Sequence, residues 1–208
     1  MSNREIAKIM LSVILFTNCF FLYSVDRKDP TIMNKNGDVV LELESSSSEL
    51  RIGEELILTY RIKNKSSVAV TILPWFLLFG SNTFLVFFDQ DGKQLNPDTN
   101  VVYELKFHPD KEDFVLIEPG RSYEVAVSLQ CDNKGPVELH GRFYNGPYIY
   151  LSRYRSYIFL NDITSITVQG IYNLNRFQIE DMFKLGFDNG VTERLYSKMI
   201  TLTFDKDQ

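Results

Sequence analysis

Two stretches of strict alternation constrain this chain more than anything else in it. Over 56–63, Leu56, Leu58, Tyr60 and Ile62 alternate with Ile57, Thr59, Arg61 and Lys63. Over 123–130, Tyr123, Val125, Val127 and Leu129 alternate with Glu124, Ala126, Ser128 and Gln130. Successive side chains on a strand point to opposite faces, so a period of two writes one wet and one dry face. Tyr60, Ile62, Val125 and Val127 are therefore expected inside, with Arg61 and Glu124 outside.

Other segments repeat the pattern between turn residues. Val39, Leu41 and Leu43 alternate with Val40, Glu42 and Glu44, and 45–49 is a polar break. The apolar run 68–79 starts β-branched, and 74–79 with Trp75 is expected in the core. Further strands are expected at 84–88, 101–107, 114–117, 137–144 and 195–204. Asp89-Gln90-Asp91-Gly92 reads as a hairpin turn, and in Glu118-Pro119-Gly120 the proline presets φ while glycine accepts a positive one. Short strands at this spacing predict an all-β fold, an Ig-like antiparallel β-sandwich. One helix is expected at 175–185, capped by Asn175, ended by Gly186, with Phe177, Met182 and Leu185 on one face. It lies in a stretch, 151–190, that reads as an insertion before the last strand.

Composition bounds the class. Hydrophobic residues make up 44% and aromatics 13% of 208 residues, enough apolar surface for a packed core. The formal charge is −5, with no basic patch, which argues against a nucleic-acid partner.

The chain opens with a basic start, Arg4 and Lys8, an apolar run over 9–16, then Thr17, Asn18 and Cys19. That is the order of a secretory signal. Phe16-Thr17-Asn18-Cys19 resembles a bacterial lipoprotein signal of the spirochaete kind, in which Cys19 becomes the acylated first residue. It departs from the usual pattern in having Asn18 before the cysteine. The alternative is an uncleaved anchor, since apolar residues continue through Phe20, Phe21, Leu22 and Tyr23. At 1.5 Å per residue, 9–23 would reach about 22 Å, short of a ~30 Å hydrocarbon core. The expected division is 1–18 as signal peptide, 19–37 as anchor and tether, and 38–208 as one domain. A flexible tether over 24–37 would reach roughly 20 Å. A plain signal is the third reading, and all three place the body outside the cytoplasm.

Catalytic signatures are sparse. His108 and His140 are the two histidines, too few for an ordinary zinc site. His108 neighbours Asp110, Glu112 and Asp113, which reads as a solvated acidic loop or a weak cation site. His140 takes the outward phase of its strand. No Gly-x-Ser-x-Gly and no phosphate-binding glycine pattern is present. With Cys19 acylated, Cys131 has no disulfide partner and is expected to be a small residue at a strand end. No cofactor, metal or catalytic residue is assigned.

Aromatic density over 143–159 is the odd feature. Phe143, Tyr144, Tyr148, Tyr150, Tyr154, Tyr157 and Phe159 are interleaved with Arg142, Arg153 and Arg155. Tyrosine and arginine bury wide area with a polar tip, the mixture that recognition surfaces use. Arg142, Tyr148, Tyr150, Arg153 and Tyr154 are the candidate binding residues. The competing reading is that the rings cover the open end of the sandwich.

The segment 53–64 (Gly-Glu-Glu-Leu-Ile-Leu-Thr-Tyr-Arg-Ile-Lys-Asn), Leu73 to Trp75, the Phe-Asp-Gln-Asp-Gly-Lys hairpin at 88–93 and Ile117-Glu118-Pro119-Gly120 follow one another in order, closed by Tyr144 and 197–204. This arrangement resembles the Ig-like accessory β-sandwich preceding the catalytic domain of deuterolysin-type metallopeptidases, and small Ig-like proteinase inhibitors. The peptidase signature His-Glu-x-x-His is absent. The resemblance implies a sandwich that works by binding, with protease inhibition as the alternative and an orphan enzyme behind both.

Overall fold

The strands whose alternation is strictest form the centre of one sheet. The computed structural model describes residues 38–74, 83–98, 108–152 and 155–204, all within the compact unit Met33–Gln208. The leader and tether with Cys19, the run 75–82, the strand expected at 101–107, and Arg153 and Tyr154 lie outside the described residues.

In chain order the strands are β1 (Val39–Ser45), β2 (Glu49–Leu50), β3 (Glu55–Asn64), β4 (Val70–Ile72), β5 (Thr83–Asp89), β6 (Gln94–Leu95), β7 (Val115–Ile117), β8 (Ser122–Asp132), β9 (Val137–Leu139), β10 (Arg142–Tyr144), β11 (Tyr148–Leu151), β12 (Ser156–Phe159), β13 (Ser165–Tyr172), β14 (Leu195–Tyr196) and β15 (Ile200–Phe204). One sheet runs β1-β3-β8-β11-β12, all antiparallel. A second runs β2-β15-β13-β5-β6, with β14 also on β13. Only β2 pairs in parallel in that sheet, against β15. Two small ribbons, β4-β7 and β9-β10, complete the described pairing. The fold is an all-β, antiparallel, sandwich-like one with a single short helix among the described residues.

The core lies between the two main sheets. Tyr60, Ile62 and Val127 are fully buried and Val125 nearly so, as their phase requires. Arg61 stands on the opposite face, half-buried among Glu42, Glu44 and Glu124 at 3.4, 3.1 and 2.6 Å. From the second sheet, Phe87, Ile166, Val168 and Tyr172 meet them. The Tyr60 hydroxyl donates across the core to the Ile171 carbonyl at 3.0 Å. Its ring lies so close to β13 that a Cβ on Gly170 would sit 3.0 Å from Cε2, so a larger residue there would have to push the Tyr60 ring aside.

The stretch 151–190 is not an insertion. It contains β12 and β13, and β13 is hydrogen-bonded to β5 on one side and to β14 and β15 on the other. From Ile166 to Tyr172 only Thr167 escapes full burial, so alternation is lost and the strand is hidden in the sequence. The final strand is in two pieces, β14 and β15. At the break the Ser197 hydroxyl accepts the Gly170 N–H at 2.8 Å and donates to the Lys198 carbonyl at 2.7 Å.

The expected helix is α1 (Arg176–Lys184). Asn175 Oδ1 accepts the Gln178 N–H, and Gln178 Oε1 accepts the Asn175 N–H, each at 3.0 Å, a reciprocal cap. Gly186, at φ +87°, follows the C-cap Leu185. The buried face differs from expectation. Gln178 and Met182 are inside, one turn apart, whereas Phe177 is 66% exposed because it sits a hundred degrees around the helix from Gln178.

Candidate functional site

On β11 and β12 the inward and outward residues separate cleanly. Ile149, Leu151 and Ile158 join the core. Tyr148, Tyr150, Tyr157 and Phe159 therefore project from the outer face of the sheet, and all four are half-buried. Register pairs Tyr148 with Phe159 and Tyr150 with Tyr157. Tyr148 stands edge-on to Tyr157, with centroids 5.5 Å apart at 70°, and Tyr150 lies 5.0 Å from Tyr157 at 40°. The β9-β10 hairpin adds a fifth ring, since Tyr144 stacks on Phe159 at 4.6 Å and 15°. The result is a ladder of five rings. It lies on a sheet face and not over the open end of the sandwich.

Four of these rings are tyrosines, and none of their hydroxyls bonds to a described protein group. The core tyrosines behave differently: Tyr60 is bonded to Ile171, and the Tyr172 hydroxyl accepts the Leu73 N–H at 3.2 Å. Burial, and after it Asp132 and then Tyr157, pushes the Tyr148 phenol up from its ordinary value; burial and then Tyr150 do the same for Tyr157. At neutral pH Tyr148 and Tyr157 therefore keep their protons and are O–H donors.

The rim is polar. On β8, Gln130 lies opposite Tyr150 and Asp132 opposite Tyr148. Burial opposes ionisation of Asp132, but Lys134 at 2.8 Å and the Asn133 N–H at 2.7 Å hold its carboxyl below the usual range. On the other flank, Asp98 and Tyr157 exchange both backbone hydrogen bonds at 2.8 Å, and His140 Nε2 lies 3.0 Å from Asp98 Oδ1. His140 is in the turn between β9 and β10, at φ +53°, not on a strand. Arg142 is exposed and on the same side of β10 as Tyr144.

No protein-family model matches this chain, and no curated protein is significantly similar to it.

Of the residues expected to bind from sequence, the structure puts Tyr148 and Tyr150 on one face and sets Arg142 on the hairpin whose Tyr144 joins the ladder. Tyr157, Phe159 and Tyr144 belong to the ladder as well. Their signal was the i, i+2 spacing of aromatics at 148/150 and 157/159, which only the β11-β12 register turns into one surface.

The other sequence candidates are elsewhere. His108 Nδ1 is 2.8 Å from Asp181 Oδ2 on α1. The hydrogen bond from His108, opposed by burial and helped by Lys184, keeps the Asp181 carboxyl below its ordinary range. Asp110 and Asp113 cap the short 3-10 turn Lys111–Asp113. Among the described residues no group of three or more His, Cys, Asp or Glu is placed to hold a metal ion. Cys131 sits one residue before the end of β8, as expected, but is fully buried and not half-buried, and burial followed by the nearby Asp132 charge pushes its thiol up to about 11. That is the opposite of an activated nucleophile.

Proposed function

We propose that this chain is an extracytoplasmic, lipid-anchored binding module that recognises a protein partner through the ring ladder of β10, β11 and β12. The observation that carries the reading is four tyrosine hydroxyls, without a partner among the described residues, on closely packed rings. A fold gains nothing from ordering them there alone, whereas an interface gains apolar area and hydrogen bonds at small entropic cost. A polar rim around an aromatic centre has the anatomy of a recognition patch. The anchoring part rests on the leader: a basic start, a short apolar run and Cys19 at its end. No described helix is long and apolar enough to cross a membrane.

Two experiments test it. Labelling cells with a radioactive fatty acid should mark the wild type and not Cys19→Ser; unchanged labelling removes the acylated form. Replacing Tyr148, Tyr150 and Tyr157 together with phenylalanine keeps the rings and removes three hydroxyls. Replacing them with alanine removes both. Capture of envelope partners should weaken in the first variant and vanish in the second, with both still melting cooperatively by circular dichroism. Folded variants that capture the same partners at wild-type strength place the binding surface elsewhere.

A further inference from the structure

The charge and the ring geometry of the ladder bear on what it takes. This step rests on the ladder being a binding surface. Tyr148 and Tyr150 are inclined at 70° and 40° to Tyr157, and Tyr144 covers one face of Phe159 at 4.6 Å. The five rings do not share a plane on which a flat sugar ring could lie. Rings at such different inclinations make an uneven surface, which suits the alternating side chains of an extended peptide better than a flat ring. The path Tyr150–Tyr157–Phe159–Tyr144 steps through centroid distances of 5.0, 6.4 and 4.6 Å. At a rise of ~3.3 Å per residue it spans at most about five extended residues.

The net charge of the chain is −5, and the charges beside the ladder are mixed: Asp98, on the Tyr157 flank, is bonded to His140 at 3.0 Å, whereas the Arg142 guanidinium stands at the Tyr144 end. Arg142 is exposed, shares the Tyr144 side of β10 and makes no ion pair with a described residue. Asp132 is neutralised by Lys134. Glu138 lies opposite Phe143, on the other face of the hairpin. Glu55 is two strands from Tyr150 and is engaged by the Ser128 hydroxyl. At the Tyr144 end, a guanidinium without a carboxylate partner among the described residues, beside a phenol O–H, offers charge-assisted hydrogen bonds to a carboxylate.

We infer that the ladder docks an extended, carboxylate-rich peptide segment of its partner, with an acidic side chain seated between Arg142 and the Tyr144 hydroxyl. Electrostatic complementarity of this kind sets the choice of partner and the salt dependence more than raw affinity.

The probe is a displayed library of random short peptides, selected on the full chain and counter-selected on Tyr148→Ala/Tyr150→Ala/Tyr157→Ala. The ladder-dependent pool should be enriched at least about twofold in Asp and Glu over the input. Its best peptides should lose about tenfold in affinity to Arg142→Glu, and lose affinity to the wild type as salt rises. A ladder-dependent pool that is neutral or basic overturns the inference while leaving the binding surface intact. So does Arg142→Glu binding that pool as tightly as the wild type. No ladder-dependent enrichment, or ladder-dependent binding confined to neutral oligosaccharides, overturns it as well. The binding surface itself fails separately, if the alanine triple variant still captures envelope partners.

Discussion

Val125→Asp places a carboxyl in the middle of β8, directly across from Tyr60 in the sandwich core. Val125 is 8% exposed, and Tyr60, its cross-strand partner, is fully buried. Losing the valine contacts costs roughly 1.5–2 kcal/mol. The carboxyl has no cation on its side of the sheet, because Arg61 and its three carboxylates occupy the other face. Burial should raise its pKa by about 2–3 units, which at 1.36 kcal/mol per unit adds roughly 3–4 kcal/mol at neutral pH. The sum is about 5 kcal/mol, a large share of the ~5–15 kcal/mol that holds a domain together. For a chain of this size the melting temperature should fall by roughly 10–20 °C. The penalty also carries a sign in pH. A group whose folded pKa is raised destabilises the fold only above its unfolded value, near 4, and by about 1.4 kcal/mol more for each pH unit up to the folded value. Circular-dichroism melts at pH 7 and pH 4 should therefore show a smaller deficit at pH 4. Ala126→Asp, one residue along on the exposed face, is the control and should change stability by less than about 0.5 kcal/mol. A Val125→Asp protein that melts with the wild type, or a deficit equal at both pH values, refutes the burial of this face.

Asp181→Asn should lower the melting temperature by about 2–4 °C near pH 6, where His108 and Lys184 favour the carboxylate. A depressed carboxyl pKa contributes stability that is present above the unfolded value and lost as pH falls through the folded one. The difference from wild type should therefore shrink steadily as pH falls below about 4, and a difference that stays constant there would mean the pair is not what holds α1. In a Cys19→Ser background, Cys131, with its thiol near 11, should alkylate with iodoacetamide at pH 8 at least about a hundredfold slower than an ordinary thiol. Unfolding in guanidinium should abolish the protection, and a native thiol that labels at the ordinary rate would contradict its burial in β8.

The sequence by itself determined the local features of this protein. Strand phase is written wherever one face is wet: Tyr60, Ile62, Val125 and Val127 are in, and Arg61 and Glu124 are out. The turn closed by the Arg121 N–H on the Glu118 carbonyl at 3.0 Å was legible in Pro119-Gly120, and α1 in its Asn175 cap and Gly186 stop. Each of these depends on residues within a few positions of one another. Tertiary structure alone decided the rest. The central strand β13 carries no alternation because both of its faces are covered, so sequence period could not find it. Phe177 faces out because packing selects the Gln178–Met182 face of α1. The ladder exists only because the β8-β11-β12 register sets Tyr148 and Tyr150 beside Tyr157 and Phe159, and because a separate hairpin brings Tyr144 onto Phe159. Composition could mark that segment as rich in tyrosine and arginine. Which rings share a face is fixed by pairing between strands, and pairing is a property of the folded chain.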